Sequence, residues 1–130
     1  MVKCYFCDPV QNSKSLIFED SYSLVFRDNF PVTRFHTLIT PREHIANIFD
    51  LSTETYKHLF ALAKVESEKL LEIDKKITGF NIGVNQGVSA GQTIMHAHIH
   101  IIPRRDGDVT DAKGGVRWVV PDKADYWSNR

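Results

Sequence analysis

The most regular alternation in the chain falls at residues 95–101, where Met95, Ala97, Ile99 and Ile101 interleave with His96, His98 and His100. A period of two is that of a β-strand, and it places three imidazoles on one face and the apolar side chains on the other. Phe80, Ile82 and Val84 alternate in the same way with Asn81, Gly83 and Asn85, which predicts a second such strand. The intervening Gln86 to Gly91 reads as a tight loop. Nearer the N-terminus, Leu16 to Phe18 and Tyr22 to Phe26 are apolar runs around Glu19-Asp20-Ser21, the pattern of a β-hairpin, while Asp8 to Lys14 reads as a turn. After a loop at Asp28-Asn29 and Pro31, Phe35 to Thr40 resumes a strand that Pro41 stops.

The period lengthens at about Thr53 and stays helical to about Asp74, with Tyr56, Leu59, Phe60, Ala63, Leu70 and Leu71 on one stripe. Ser52 or Thr53 can cap its start, and Gly79 lies beyond its end. His58 falls off the stripe and is expected in solvent. A helical turn or two is predicted just before, at Ile45, Ile48 and Phe49. Beyond Pro103 come a charged loop at residues 104–108 and a last short strand at Val116 to Val120. The aromatic end, Ala124-Asp125-Tyr126-Trp127, is expected to pack on its own domain or on a partner. These elements predict an α+β fold, an antiparallel meander with one long helix packed on it. It would be a single domain over residues 1–130, with a core at about 4–104 and a C-terminal tail at 105–130.

Composition removes several functions. Lysine plus arginine equals aspartate plus glutamate at 16 each, so no overall field draws the chain to nucleic acid or to an anionic membrane, and an anionic ligand needs a local site. No run approaches the ~20 apolar residues of a membrane span, and Met1-Val2-Lys3-Cys4 opens no secretory segment, so a cytoplasmic protein is expected. Its two cysteines form Cys4-Tyr5-Phe6-Cys7, which reads as half of a metal site, a redox pair or chance.

The three histidines invite three readings. A merely histidine-rich strand would have to desolvate three imidazoles without partners. A catalytic metal centre could take two of the rings with a third ligand from elsewhere. One ring could instead act as a nucleophile, oriented by its neighbours. Spacing alone does not separate the last two.

The run His96 to Ile102 resembles the signature of the histidine triad (HIT) family, H-x-H-x-H followed by two apolar positions. The resemblance extends to Gly91-Gln92-Thr93, Asn85, His36, Asp28 and Pro103-Arg104, and so covers about residues 4–104. It implies a nucleotide-binding HIT-like fold, a homodimer, and attack on the α-phosphorus of a nucleoside phosphate derivative. On that resemblance His98 is the nucleophile, forming a nucleotidyl-histidine that water hydrolyses, with one ring nitrogen protonated toward a backbone carbonyl. His100 and Thr93 would contact the phosphate or leaving group, with His36 beside them. Asn85 and Gln92 would bind phosphate oxygens, Asp28 the ribose hydroxyls, and Phe6 and Phe26 a purine base. Histidine at position 100, where nucleotidyl-transferring branches carry glutamine, favours hydrolysis. Dinucleoside polyphosphates and nucleoside phosphoramidates or aminoacyl nucleotides both remain open as substrates. The alternative is a nucleotide-binding or scaffold protein with residual hydrolysis. By the same resemblance Cys4, Cys7, His44 and His96 would hold a structural zinc ion.

Overall fold

In the computed structural model, which describes residues 4–128, five strands form one antiparallel sheet in the order β1-β2-β3-β5-β4. The strands are β1 (Leu16–Glu19), β2 (Ser23–Arg27), β3 (Thr37–Pro41), β4 (Ile77–Gly83) and β5 (Ile99–Arg105). The first three follow the expected meander. The helix α2 (Thr53–Ile73) then carries the chain to the far edge, and β5 returns between β4 and β3. Two short helices, α1 (Pro9–Asn12) and α3 (Pro121–Ala124), lie near the chain ends.

Register divides the sheet into two faces. Val25 lies opposite Ile39, and Ile39 opposite Ile99, so these side chains share the face that α2 covers. Phe26 lies opposite Leu38, and Leu38 opposite His100, which puts the histidine on the other face. The larger core packs Val25, Ile39, Ile99 and Ile101 against Leu59, Leu62, Ala63 and Leu70 of the helix. A smaller cluster of Phe6, Phe26 and Leu38 backs the histidine face. β3 is buried along its whole length, so it is the member on which both layers rest.

Ser52 caps α2 by accepting from the Thr55 N–H, as expected. The buried stripe differs from the expected one. Leu59, Ala63 and Leu70 are inside, but Thr55, Leu62, Glu66 and Ser67 join them, while Tyr56, Phe60 and Leu71 are exposed. The residues just inside the stripe and those just outside it differ by a fraction of a turn, and the sheet selects the edge that carries Glu66, whose carboxylate meets Lys69 at 3.2 Å. His58 is not free in solvent either. Its Nε2 lies 2.7 Å from Asp20 Oδ2 and its ring lies against Tyr22, tying the helix to the first hairpin.

Two strand boundaries also move, and one expected strand does not form. β3 begins at Thr37 because Phe35 takes φ +71°, a left-handed conformation held by Arg27 and Arg34 over its ring. β4 begins at Ile77 and includes Gly79, which therefore ends no helix. The run Val116 to Val120 forms a 3-10 turn over Gly115–Val119 rather than a strand. Asp8 to Lys14 holds α1, whose start Asp8 caps through the Val10 and Gln11 N–H groups.

Thr40 Oγ1 is buried with no hydrogen-bond partner among the described residues. An unpaired buried hydroxyl costs free energy that an isosteric methyl does not. Thr40→Val is therefore expected to raise stability by about 1 kcal/mol in urea denaturation, and a loss of that size would show that the hydroxyl is satisfied.

Candidate functional site

The site face gathers histidines from three parts of the chain. His36 comes from the loop before β3, His44 from the segment after it, and His96, His98 and His100 from the approach to β5 and its second residue. Only His100 stands in a strand. β5 starts at Ile99 because the Ala97 N–H turns away to the Ile45 carbonyl, at 2.7 Å, so His96 and His98 lie in irregular backbone. Met95, expected on the apolar face, is exposed there.

Each ring's proton can be assigned from its neighbours, because a carbonyl only accepts and a backbone N–H only donates. His96 Nε2–H donates to the Pro41 carbonyl at 2.8 Å, which leaves Nδ1 as a lone pair. That nitrogen lies 3.5 Å from both Cys4 Sγ and Cys7 Sγ and 3.2 Å from His44 Nδ1, and Cys7 Sγ lies 3.4 Å from His44 Nδ1. A tetrahedral zinc ion with bonds of about 2.3 Å to sulfur and 2.0–2.1 Å to nitrogen would separate its ligand atoms by roughly 3.3–3.8 Å. These four separations lie at or near the short end of that range, all four ligand atoms fall within 4.8 Å of one another, and the Pro41 carbonyl is the outer partner that a ligating imidazole usually has. The Cys7 thiol is pushed up to about 11, first by partial burial and then by Cys4 beside it, so a cation would have to displace its proton.

A second cluster, Asp28, His36 and His100, also brings possible ligand atoms within 4.8 Å of one another. Its protons argue for a different role. The Val32 N–H donates to His36 Nδ1 at 3.0 Å, so the neutral ring carries its proton on Nε2, where a metal would have to bind. That Nε2–H reaches His100 Nδ1 at 2.9 Å, with Asp28 Oδ2 at 3.5 Å. His100 in turn carries its proton on Nε2 as an outward donor. Burial lowers His36, and burial with the neighbouring His98 and His36 lowers His100 to about 4, so both rings are neutral at pH 7.

His98 has the opposite polarity. Its Nδ1–H donates to the His96 carbonyl at 2.8 Å, which leaves Nε2 with a free lone pair, as the sequence reading required. Burial lowers this ring as well. It lies between Phe6 and His100, at ring-centre distances of 5.2 and 5.0 Å.

The remaining expected residues separate into two groups. Asp28 joins the histidines, Asn85 lines the cavity beside His36 and His100, and Thr93 is exposed on the loop before His96. Gln92 is buried, and its amide is engaged internally, accepting from the Gly87 N–H and donating to the Ala46 and Ile94 carbonyls. It shapes the loop that leads to the histidines. Phe6 and Phe26 lie 5.3 Å apart and are almost fully buried, so neither offers a free face to a base as they stand. Two features were not read from the sequence: the Val32 N–H that orders His36, and the wall that Trp118 forms beyond His100. The first is a backbone group and leaves no residue signal. Gly114-Gly115 followed by Trp118 was the available sign of the second.

Residues 10–107 match the HIT domain family. The chain belongs to the HIT family. Its fold matches the crystal structure of a HIT family protein from Bacillus anthracis, 36% identical, with a TM-score of 0.74 over 81% of this chain and 75% of that one. A zinc-bound histidine triad family protein from Mycobacterium smegmatis is 34% identical, with a TM-score of 0.73 over 83% and 79%. The diadenosine triphosphate hydrolase of Plasmodium falciparum, in complex with cyclomarin A, is 30% identical, with a TM-score of 0.69 over 75% and 66%. Among the described residues of this HIT chain, no helix is long and apolar enough to cross a membrane.

The neutral rings have a consequence for stability. With its folded value near 4 and an unfolded value near 6.5, His100 is protonated only in the unfolded chain between those pH values, and His36 is shifted the same way. The unfolded chain then binds more protons, so stability rises with pH across this window and is lost on acidification. Urea denaturation at saturating zinc is expected to show this fall between pH 6.5 and 4.5, and to show a shallower one in His100→Asn. Identical slopes in the two proteins would mean that His100 is not held neutral by the fold.

Proposed function

We propose that this HIT protein hydrolyses nucleoside phosphate derivatives at the α-phosphorus, with His98 as the nucleophile. The observation that carries the reading is the hydrogen bond from His98 Nδ1–H to the His96 carbonyl, which leaves Nε2 unprotonated. The Nε2 lone pair forms a P–N bond as the bond from phosphorus to the leaving group breaks, and the leaving group takes that electron pair. Water then attacks phosphorus, the P–N pair returns to Nε2, and the water proton passes to solvent. A neutral imidazole suits both steps, since it needs no base to expose its lone pair and the phosphoramidate it makes is labile.

The neighbours would supply donors for the charge that spreads over the phosphoryl oxygens. His100 Nε2–H is one, held in that tautomer by His36 and Val32. Asn85 and Thr93 would add others from the loop side, while Asp28 would accept from the ribose hydroxyls. Diadenosine triphosphate hydrolysis by the Plasmodium relative supports a substrate of this class. For the metal, the zinc-bound Mycobacterium relative and the ligand spacing support structural zinc at Cys4, Cys7, His44 and His96. The ion would tie the N-terminal segment to the backbone that precedes His98. A closed set of two thiolates and two imidazoles leaves no position for water, so its contribution would be to order rather than to chemistry.

Purified protein is expected to hydrolyse diadenosine tri- or tetraphosphate or adenosine phosphoramidate. His98→Asn should keep nucleotide binding by calorimetry while turnover falls by about three orders of magnitude or more. Turnover that survives this change would remove the nucleophile, and with it the mechanism. For zinc, elemental analysis should find one ion per chain, and Cys4→Ser should release it and lower the melting temperature by about 10 °C. A chain with no zinc and an unchanged melting temperature would dispose of the metal site.

A further inference from the structure

The spacing in Cys4-Tyr5-Phe6-Cys7 suits a redox pair as well as half of a metal site, and the proposed zinc site uses only the second property. The structure makes the two compatible. Cys4 and Cys7 are the ends of one turn, closed by the Cys7 N–H, which donates to the Cys4 carbonyl at 3.1 Å. The ends of such a turn have Cα atoms within about 7 Å of each other, which is also the reach of a disulfide. Their sulfurs converge as well, each lying 3.5 Å from His96 Nδ1.

The two thiols differ in access. Cys7 is exposed, whereas Cys4 is half-buried against the cluster of Phe6, Phe26 and Leu38. A small oxidant in solvent therefore meets Cys7 first and finds Cys4 behind it, the order in which an attacked sulfur and a resolving sulfur have to stand. Both are free thiols, and the chain has no other cysteine to compete for either. Zinc bound between them would keep the sulfurs as thiolates, the nucleophilic form.

A disulfide has no thiolate to offer a metal, so joining the sulfurs to each other and joining them to zinc exclude one another. Only His44 and His96 would remain of the four ligands, and two imidazoles do not make the closed set of a structural site. The turn itself stays docked without the ion, because the Asn12 amide donates to the Tyr5 and Phe6 carbonyls at 3.1 Å and Phe6 is buried with Phe26 and Leu38. Oxidation thus opens the metal tie and spares the fold.

We propose that Cys4 and Cys7 are a reversible redox pair that a hydroperoxide closes to a disulfide, with expulsion of the zinc ion. The inference rests on the zinc reading and adds regulation of that site. Cys7 Sγ attacks the terminal peroxide oxygen; an S–O bond forms, the O–O bond breaks, and the departing oxygen takes a proton from solvent to leave as an alcohol, or as water from hydrogen peroxide. Cys4 Sγ then attacks Cys7 Sγ. The S–S bond forms as the S–O bond breaks, and the hydroxide that departs with that electron pair takes a second proton and becomes water. Each sulfur gives up one electron and the peroxide takes both. A dithiol reverses the exchange and restores both ligands.

The test treats reduced, zinc-loaded protein with hydrogen peroxide, following zinc with a chromogenic chelator and the side chains by mass spectrometry of a digest. The peptide that carries Cys4 and Cys7 should become lighter by two hydrogens, zinc should appear mole for mole with that loss, and dithiothreitol with added zinc should reverse both. Met95, exposed in the same molecule, is the internal gauge, and the pair should close before Met95 gains oxygen. Zinc retained after the disulfide has formed, zinc lost from thiols that are still reduced, a sulfinic or sulfonic acid as the main product, or a pair that closes no sooner than Met95 oxidises would each overturn the proposal. Reduced protein that takes up no zinc at all fails the metal reading by itself. The pair is then judged on the peptide mass, where formation of the disulfide upholds it and its absence overturns it.

Discussion

The placement of protons on four imidazole rings by three backbone groups is the constraint on which this site depends. The Pro41 carbonyl, the His96 carbonyl and the Val32 N–H each leave a ring one permitted tautomer. Chemically identical side chains thereby receive different properties: His96 presents a lone pair to two sulfurs, His98 keeps one on Nε2, and His100 keeps a proton on Nε2. Burial makes the assignments firm, since it lowers all four rings and keeps them neutral. A charged imidazole would donate from both nitrogens and the distinction would vanish.

Two local features maintain that arrangement. Phe35 adopts a left-handed backbone that a bulky residue seldom takes, at a cost of about 1–3 kcal/mol, and the bend places His36 within reach of the Val32 N–H. At the other corner, Asn12 donates to the Tyr5 and Phe6 carbonyls, and Tyr5 OH donates to Ser15 Oγ. These bonds fold the Cys-x-x-Cys turn down onto the sheet, where Phe6 fills the space under His98. The same packing explains why Phe6 and Phe26 are covered rather than open.

Much of the architecture was legible in the chain, because hairpin and helix signals are local. The apolar runs around Glu19-Asp20-Ser21 and the helical period from Thr53 required no long-range information. What sequence could not supply was competition between distant groups. His96 and His98 alternate like strand residues, yet Ile45 takes the N–H of Ala97 and delays the strand. Tyr56 and Leu62 are both plausible core residues on one helix, and only the docked sheet decides between them. Of the Cys4, Cys7, His44 and His96 cluster, the Cys-x-x-Cys spacing was legible as half of a possible metal site, whereas the two histidines were legible through resemblance alone, since they come from positions up to 92 residues away. The resemblance implies that Gln92 binds phosphate oxygens, and in the fold its amide meets the Ala46 and Ile94 carbonyls and the Gly87 N–H, partners that no local pattern announces.

β3 carries a consequence of its own. His36 stands immediately before its first residue, and its last residue, Pro41, supplies the carbonyl that orients His96. Five fully covered extended residues, roughly 16 Å of backbone, thus act as a stiff spacer bolted at one end to the sulfur corner and at the other to the His36–His100 pair. Neither corner can drift without dragging the other. The thiol end is thus mechanically part of the histidine site at the other end of the strand.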